Sequence, residues 1–197
     1  MHFQKTLSLI AGILSLVGFI PYIRAILKDR NIPSGTPGKN EPSKASWLIW
    51  TTLNTLTLVG MYAEKSANLQ ITGIALMSFV VLALSFKYGK QGWTSIDIFC
   101  ICGAVLGLVL WKVFDNPTWC IVISLIVILI GCVPAFSEAW FDPSKESKTA
   151  WTIFWVSSLL VTLSITKWTV ATSAQPLVFL GNQTVMMYIL YCRPRVK

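Results

Sequence analysis

The sequence has few charged residues and almost no histidine. Only 12% of its 197 residues are Asp, Glu, Lys or Arg, and His2 is the only histidine. Soluble domains usually carry about a quarter charged residues, so this composition argues against a water-soluble protein. A histidine-based metal or proton-transfer site is nearly excluded, and we expect neither a metal nor a cofactor.

Neither the cysteines nor the acidic residues indicate a metal, redox or catalytic site. The five cysteines show neither metal-type nor redox-type spacing, so we interpret them as packing residues. No Asp or Glu lies in the middle of an apolar segment. Asp97 lies at the start of one such segment, and Glu138 lies near the end of another. Proton or sodium coupling therefore lacks a carrier, and a membrane enzyme lacks an evident catalytic group.

Hydrophobic residues make up 54% of the chain, the mean hydropathy is +0.65, and the apolar residues form long blocks. A membrane-spanning helix needs roughly 17 to 25 mostly apolar residues. Seven segments qualify, which predicts a polytopic all-α membrane protein. They lie at about 6–27, 45–63, 68–87, 94–114, 117–140, 149–167 and 171–192.

Two of these segments are diluted by hydroxyl and amide groups, and a third has another interpretation. The second and sixth contain many Thr and Ser residues, so we expect them to face protein or water more than lipid. The first could be a secretory signal peptide with Lys5 as its basic region. A continuous helix is favoured, since no small-residue cleavage site follows and the apolar pattern continues through Pro21 to Lys28.

The net charge of +8 is distributed unequally between the two sides that seven spans create. One side holds 12 of the 16 Lys and Arg residues, and the other holds Lys5, Lys65, Lys112 and Lys167. Because cytoplasmic loops accumulate Lys and Arg, we predict an outside N-terminus and a cytoplasmic C-terminus, in a plasma or inner membrane. The basic charge thus indicates orientation in a lipid bilayer, and no nucleic-acid partner is expected.

Short matches recur in the same order in both halves of the chain. Gly18-Phe19-Ile20-Pro21 matches Gly131-Cys132-Val133-Pro134, and Tyr88-Gly89-Lys90 matches Tyr191-Cys192-Arg193. An odd helix between the halves makes such repeats parallel. We therefore predict two parallel three-helix repeats joined by a linker helix. The predicted units are residues 1–92, with a cytoplasmic loop at 28–44, residues 93–115 as the linker, and residues 116–197.

Polar side chains inside hydrocarbon indicate a cavity, because they are costly when they face lipid. The candidates for binding a substrate are amides, hydroxyls and tryptophans on the second, sixth and seventh segments. They are Asn54, Trp50, Trp155, Ser157, Ser158, Asn182 and Gln183. Interhelical hydrogen bonding is the structural alternative for the polar groups. Trp47 and Trp151, nearer the segment ends, are assigned instead to an interfacial aromatic belt.

Pro21 and Pro134 occupy matching depths near the ends of their segments. A proline within a membrane helix removes one backbone hydrogen bond and bends the helix. A matched pair predicts hinges that open and close one mouth of a central path. The alternative is that each proline is simply tolerated.

This combination of features resembles the SWEET, SemiSWEET and PQ-loop superfamily of membrane transporters. In that family a proline-glutamine pair commonly marks the first helix of each repeat, and the corresponding pairs here are Pro21-Tyr22 and Pro134-Ala135. The resemblance implies the 3+1+3 architecture with an outside N-terminus, and a sugar-contacting asparagine that corresponds to Asn182. Nicotinamide riboside carriers of the PnuC type share this architecture, so the resemblance leaves the substrate open.

The sequence therefore predicts facilitated transport of a small neutral polar metabolite, such as a sugar or a vitamin, by alternating access. The alternative is a seven-helix scaffold or small-molecule sensor that transports nothing. We expect no enzymatic activity. The sequence gives no oligomeric state, and an oligomer remains open.

Overall fold

The computed structural model describes residues 2–34, 36, 39, 41–89, 92, 95–141, 143 and 146–193. For five of these residues, all within helices, the structure describes the backbone but not the side chain. They are Ile96, Asp97, Cys100, Pro134 and Glu138. Every secondary-structure element of the described residues is helical.

The described residues form seven α-helices, one for each predicted segment, so the prediction of an all-α chain with seven helices is confirmed. The last helix continues as a π-helical turn at Tyr188–Cys192. The helices are α1 (His2–Lys28), α2 (Lys44–Ala63), α3 (Leu69–Tyr88), α4 (Ser95–Phe114), α5 (Pro117–Phe141), α6 (Lys148–Leu163) and α7 (Val170–Met187).

The end of the sixth segment was predicted wrongly. The prediction extended it to residue 167, but α6 ends at Leu163. The Ser164 N–H donates to the Leu160 carbonyl at 3.0 Å, and its hydroxyl donates to the Val161 carbonyl at 2.7 Å. Serine competes in this way for backbone partners and favours helix ends. The chain then turns and begins α7 at a capping box, in which Thr169 and Thr172 bond reciprocally.

Six of the helices form a closed ring. α3 contacts both α1 and α2, and α7 contacts both α5 and α6. Between these trios, α1 contacts α6 and α2 contacts α5. The order around the ring is therefore α1, α3, α2, α5, α7, α6. α4 packs against α5 and α2 and contributes nothing to ring closure.

Close contacts show the direction of each helix. Gly12 approaches Leu69, and Gly73 approaches Ser15, so α1 and α3 run the same way. Gly18 approaches Phe154, and the Ser157 hydroxyl donates to the Ala11 carbonyl, so α6 is antiparallel to α1. We call the end of the ring where α1 finishes and α2 begins the Lys28 end. The opposite end, where α2 finishes and α3 and α7 begin, is the Lys65 end.

Small residues allow the helices to approach closely. A Cβ added to Gly12 would lie 2.6 Å from the Leu69 Cβ, and one added to Gly18 would lie 2.6 Å from the Phe154 Cε1. Both distances are shorter than any normal carbon–carbon contact. Membrane helices use small residues at such contacts because association there depends on van der Waals packing.

The distribution of apolar helices and buried polar groups is compatible with a membrane protein. Among the described residues, three helices are long and apolar enough to cross a membrane by length and composition, namely α1, α3 and α5. Large apolar side chains such as Leu76, Phe79 and Phe86 are exposed, whereas Gln70, Gln175 and several serines are buried. This arrangement is compatible with a helical membrane protein. Seven-span topology and its orientation stay predictions.

We predict that Gly12→Ala lowers stability by about 1 to 3 kcal/mol, because the added methyl group overpacks the α1–α3 contact against Leu69. Gly181→Ala in α7 is the matched control, since a Cβ there meets nothing within 4 Å. The control should be neutral or slightly stabilising. The midpoint of thermal unfolding in one detergent measures both effects, and equal midpoints for the two variants would contradict the close α1–α3 packing.

Candidate functional site

A cavity of about 130 Å³ lies in the middle of the ring, and all six ring helices contribute to it. We call it the aromatic cavity because half of its lining residues are Trp or Phe. The aromatic lining residues are Phe19, Trp47, Trp50, Trp151, Phe154 and Phe179. The others are Asn54, Ile74, Ile128, Cys132, Asn182 and Gln183. No charged residue lines it among the residues that the structure describes.

Edge-to-face contacts fix the aromatic walls. The Phe19 and Phe154 rings lie 5.0 Å apart at 75°, and the Trp47 and Trp50 rings lie 5.3 Å apart at 79°. The Trp47 indole N–H also donates to the Tyr22 hydroxyl at 3.2 Å. Such contacts stabilise aromatic pairs beyond their buried area, so the walls present defined ring faces and edges.

Amide groups in this cavity keep free hydrogen-bonding capacity. The Asn182 Nδ2 donates to the Cys132 Sγ at 2.9 Å, but its Oδ1 is buried without a partner. The Gln183 Oε1 is also buried and unpartnered. An unsatisfied buried acceptor is costly, so both oxygens would gain from a ligand that brings N–H or O–H donors.

A second group of polar side chains is fully bonded and crosses the ring at the Lys65 side of the cavity. The Gln175 Nε2 donates to the Gln70 Oε1 at 3.0 Å, joining α7 to α3. The Gln70 Nε2 donates to the Ser157 Oγ at 3.0 Å and to the Ser158 Oγ at 2.7 Å, joining α3 to α6. The Asn68 Nδ2 donates to the Gln175 Oε1 at 2.8 Å. We call these five residues the polar layer.

The polar layer separates the aromatic cavity from a second pocket at the Lys65 end. Ile74, Phe179 and Phe154 line the cavity, and each lies one helical turn from a member of the layer. Asn68, which belongs to the layer, also lines the second pocket. We call this pocket the vestibule. The vestibule, the polar layer and the aromatic cavity therefore lie in series along the ring.

The structure brings four of the predicted binding residues to the cavity, namely Trp50, Asn54, Asn182 and Gln183. Their role in binding stays a prediction. Ser157 and Ser158 were expected to line the cavity, but they do not. They are fully buried in the polar layer, where Ser157 also donates to the Ala11 carbonyl at 2.8 Å.

Trp155 also lies outside the cavity lining. Its indole N–H donates to the Thr184 hydroxyl at 2.9 Å, which joins α6 to α7 away from the central rings. Trp151, which was assigned to an interfacial belt, instead lines the cavity, and its indole N–H donates to the Glu146 Oε2 at 2.7 Å. The depth of the tryptophans along α6 could be predicted from the sequence, but the helix face that turns inward could not.

Sequence reasoning missed Trp47, Gln70 and Gln175. Trp47 was assigned to the belt with Trp151, but it is buried at the cavity and in contact with Tyr22. Gln70 lies in the first turn of α3 and Gln175 in the second turn of α7, and both lie within segments that the sequence predicts to span the membrane. The rule that selected Asn54, a costly amide within an apolar segment, would have found them too.

The predicted hinge prolines lie within helices. Pro21 lies inside α1, which continues past it to Lys28. The backbone of α5 continues through position 134, and the side chain of Pro134 lies outside the described residues. A further proline, Pro176, lies inside α7 next to Gln175 of the polar layer. Proline cannot donate the usual backbone bond, so α7 is weakened where it enters the layer.

Within the part of the chain that the structure describes, no cluster of three or more His, Cys, Asp or Glu side chains could hold a metal ion.

We predict that the two kinds of buried glutamine respond differently to the same substitution. Gln70→Met removes three hydrogen bonds and leaves the Gln175 Nε2 without its acceptor, so stability should fall by about 1 to 2 kcal/mol. Gln183→Met removes an oxygen that has no partner, so stability should stay the same or rise slightly. Thermal unfolding of both variants in one detergent measures this, and equal losses would show that the layer carries no special stability.

No protein-family model, no curated protein and no solved structure matches this chain. Its function is therefore inferred from its own residues and from their arrangement.

Proposed function

We propose that this chain is a seven-span membrane protein made of two parallel three-helix repeats, α1–α3 and α5–α7, joined by α4. Each trio has its third helix between the other two, as the contacts of α3 and α7 indicate. The recurring Tyr88 and Tyr191 stand at equivalent places, at the ends of those middle helices. The surplus of Lys and Arg near the Lys28 end supports a cytoplasmic location for that end.

The function that this geometry supports best is facilitated transport of a small neutral polar metabolite. The observation that carries the proposal is the aromatic cavity, to which all six ring helices contribute. A site on the axis between two repeats is where transporters of this kind bind substrate. A scaffold protein would need no unfilled space there, and close packing of its core would be the favoured arrangement.

The lining of the cavity favours a particular class of substrate. The unpartnered oxygens of Asn182 and Gln183 favour a molecule with N–H or O–H donors, and the tryptophan rings favour one with a flat or weakly polar face. Hydroxyl-rich or amide-bearing neutral molecules, such as sugars and some vitamins, meet both requirements. The absence of charged groups among the described lining residues favours passive uniport over ion coupling.

Transport requires the polar layer to open. A volume of 130 Å³ holds roughly four water molecules and is well below the 300 to 1,000 Å³ of typical ligand pockets. Alternating access would expand the cavity at one end while it is closed at the other. The hydrogen bonds between Gln70 on α3 and residues of α6 and α7 close the Lys65 end in the conformation described here. Pro176, Pro21 and Pro134 are the candidate hinges.

A second function, that of a membrane scaffold or small-molecule sensor, is supported by one observation. Ser157 and Ser158 are satisfied by interhelical hydrogen bonds, as expected for groups whose role is to hold helices together. A sensor would bind the same class of ligand in the cavity without releasing it on the other side. Neither of these two proposed functions involves an enzymatic reaction.

We predict that proteoliposomes containing this protein show counterflow of one class of neutral metabolite in a panel of sugars, nucleosides and vitamins. Asn182→Ala should reduce that counterflow at least tenfold, because it removes the acceptor that faces no protein donor. Gly181→Ala, one residue away, is the matched control and should leave the rate unchanged.

Two outcomes would contradict transport. Equal effects of the two α7 variants would place the substrate elsewhere. Ligand binding by the purified protein without counterflow across the panel would favour the sensor.

A further inference from the structure

The vestibule at the Lys65 end has a volume of about 330 Å³ and three walls, each of which provides one lysine. Lys5 comes from the first turns of α1, Lys65 from the connection between α2 and α3, and Lys167 from the connection between α6 and α7. They are three of the four basic side chains that the charge count assigns to this side of the membrane. Cytoplasmic loops accumulate Lys and Arg, which favours few lysines on the opposite side. This rule therefore does not explain why three of them line one pocket at the Lys65 end.

No carboxylate balances these lysines among the described residues that line the vestibule. Glu64 is next to Lys65 in the chain, but its Oε1 accepts a hydrogen bond from the Thr118 hydroxyl of α5 at 2.9 Å. Three solvent-exposed lysines that line one concave surface raise the positive potential there.

The backbone at Lys65 adopts a conformation that glycine would adopt at lower cost. Its φ is 53°, in the left-handed region. The Lys65 N–H donates to the Tyr62 carbonyl at 3.0 Å, and the Ser66 N–H donates to the Met61 carbonyl at 2.8 Å. This is the Schellman motif, in which the left-handed position is usually glycine. The chain therefore carries a cation at a position where stability alone would favour glycine, and strain of this kind is concentrated at functional sites.

We propose that the vestibule binds a phosphate-type anion through Lys5, Lys65 and Lys167. A multiply charged anion satisfies several ammonium groups at once, and lysine binds phosphate as a point charge. The Gln4 Oε1 in the same lining is buried without a partner and accepts the O–H of a hydrogen phosphate. The N-cap of α3, Asn68, and the first turn of α7, at Thr172, also line the pocket, so two helix N-termini add favourable dipoles.

The anion is either a free phosphate compound or the headgroup of an anionic lipid, and the site recognises the chemistry that they share. This binding does not depend on the proposed transport activity. The polar layer lies between the vestibule and the aromatic cavity, so the anion occupies a separate site from the neutral substrate.

The test is equilibrium dialysis of the purified full-length protein against radiolabelled inorganic phosphate at low salt, in a neutral detergent. We expect affinity to fall about fivefold for each charge removed by Lys5→Gln, Lys65→Gly or Lys167→Gln, and about a hundredfold for the triple variant. Lys65→Gly relieves the left-handed strain, so loss of binding there cannot be attributed to misfolding. Lys112→Gln removes a lysine at the same end that does not line the pocket, and it should bind phosphate normally.

A second arm distinguishes the two sources of the anion. Native mass spectrometry of protein extracted from bilayers of phosphatidylcholine with phosphatidylglycerol measures retained anionic lipid. Retention that the triple variant loses, while free phosphate neither binds nor competes, would support the site with lipid as its ligand. The proposal is overturned if neither phosphate nor anionic lipid binds, or if Lys112→Gln weakens binding as much as Lys65→Gly.

Discussion

The side-chain amide of Gln70 holds the centre of this structure together. It accepts a hydrogen bond from Gln175 and donates to Ser157 and Ser158, so it connects α3 to α7 and α6 across the ring. A buried amide or hydroxyl without a partner is costly, so these hydrogen bonds hold the helices that carry them in one register. That register sets the depth of the aromatic cavity on one side of the layer and of the vestibule on the other.

The polar groups of the polar layer and those of the cavity differ in how they are bonded. Those of the polar layer are satisfied within the protein, which gives them a structural role. Those of the cavity, above all the oxygens of Asn182 and Gln183, are buried without partners. The hydroxyls of Thr57 and Ser124 are also buried without partners but line neither the cavity nor the vestibule, whereas the two amide oxygens belong to residues of the cavity lining. This contrast supports binding in the cavity.

Hydrophobic blocks were sufficient to predict all seven helices, because an apolar segment of this length has few alternatives to a helix. The end of α6 was missed, since Ser164 competes for backbone hydrogen bonds in a way that hydropathy does not register. Four predicted site residues reach the cavity because rare amides and aromatic groups in apolar helices tend to face inward. Depth along a helix does not reveal which neighbour each face meets, so it could not place Ser157 in the polar layer or Trp47 at the cavity.

We propose that the polar layer closes the path between the vestibule and the cavity, and labelling of Cys132, which lines the cavity, tests this proposal. With the other cysteines replaced by serine, the rate at which a membrane-impermeant maleimide added at the Lys65 end labels Cys132 in oriented proteoliposomes measures access through the layer. We expect slow labelling in the otherwise unchanged protein. Labelling should be at least tenfold faster in Gln70→Ala, because the hydrogen bonds of Gln70 that hold the polar layer together are lost. Equal labelling rates in the two proteins would show that the polar layer does not control access from the Lys65 end to the cavity, and the proposal would be wrong.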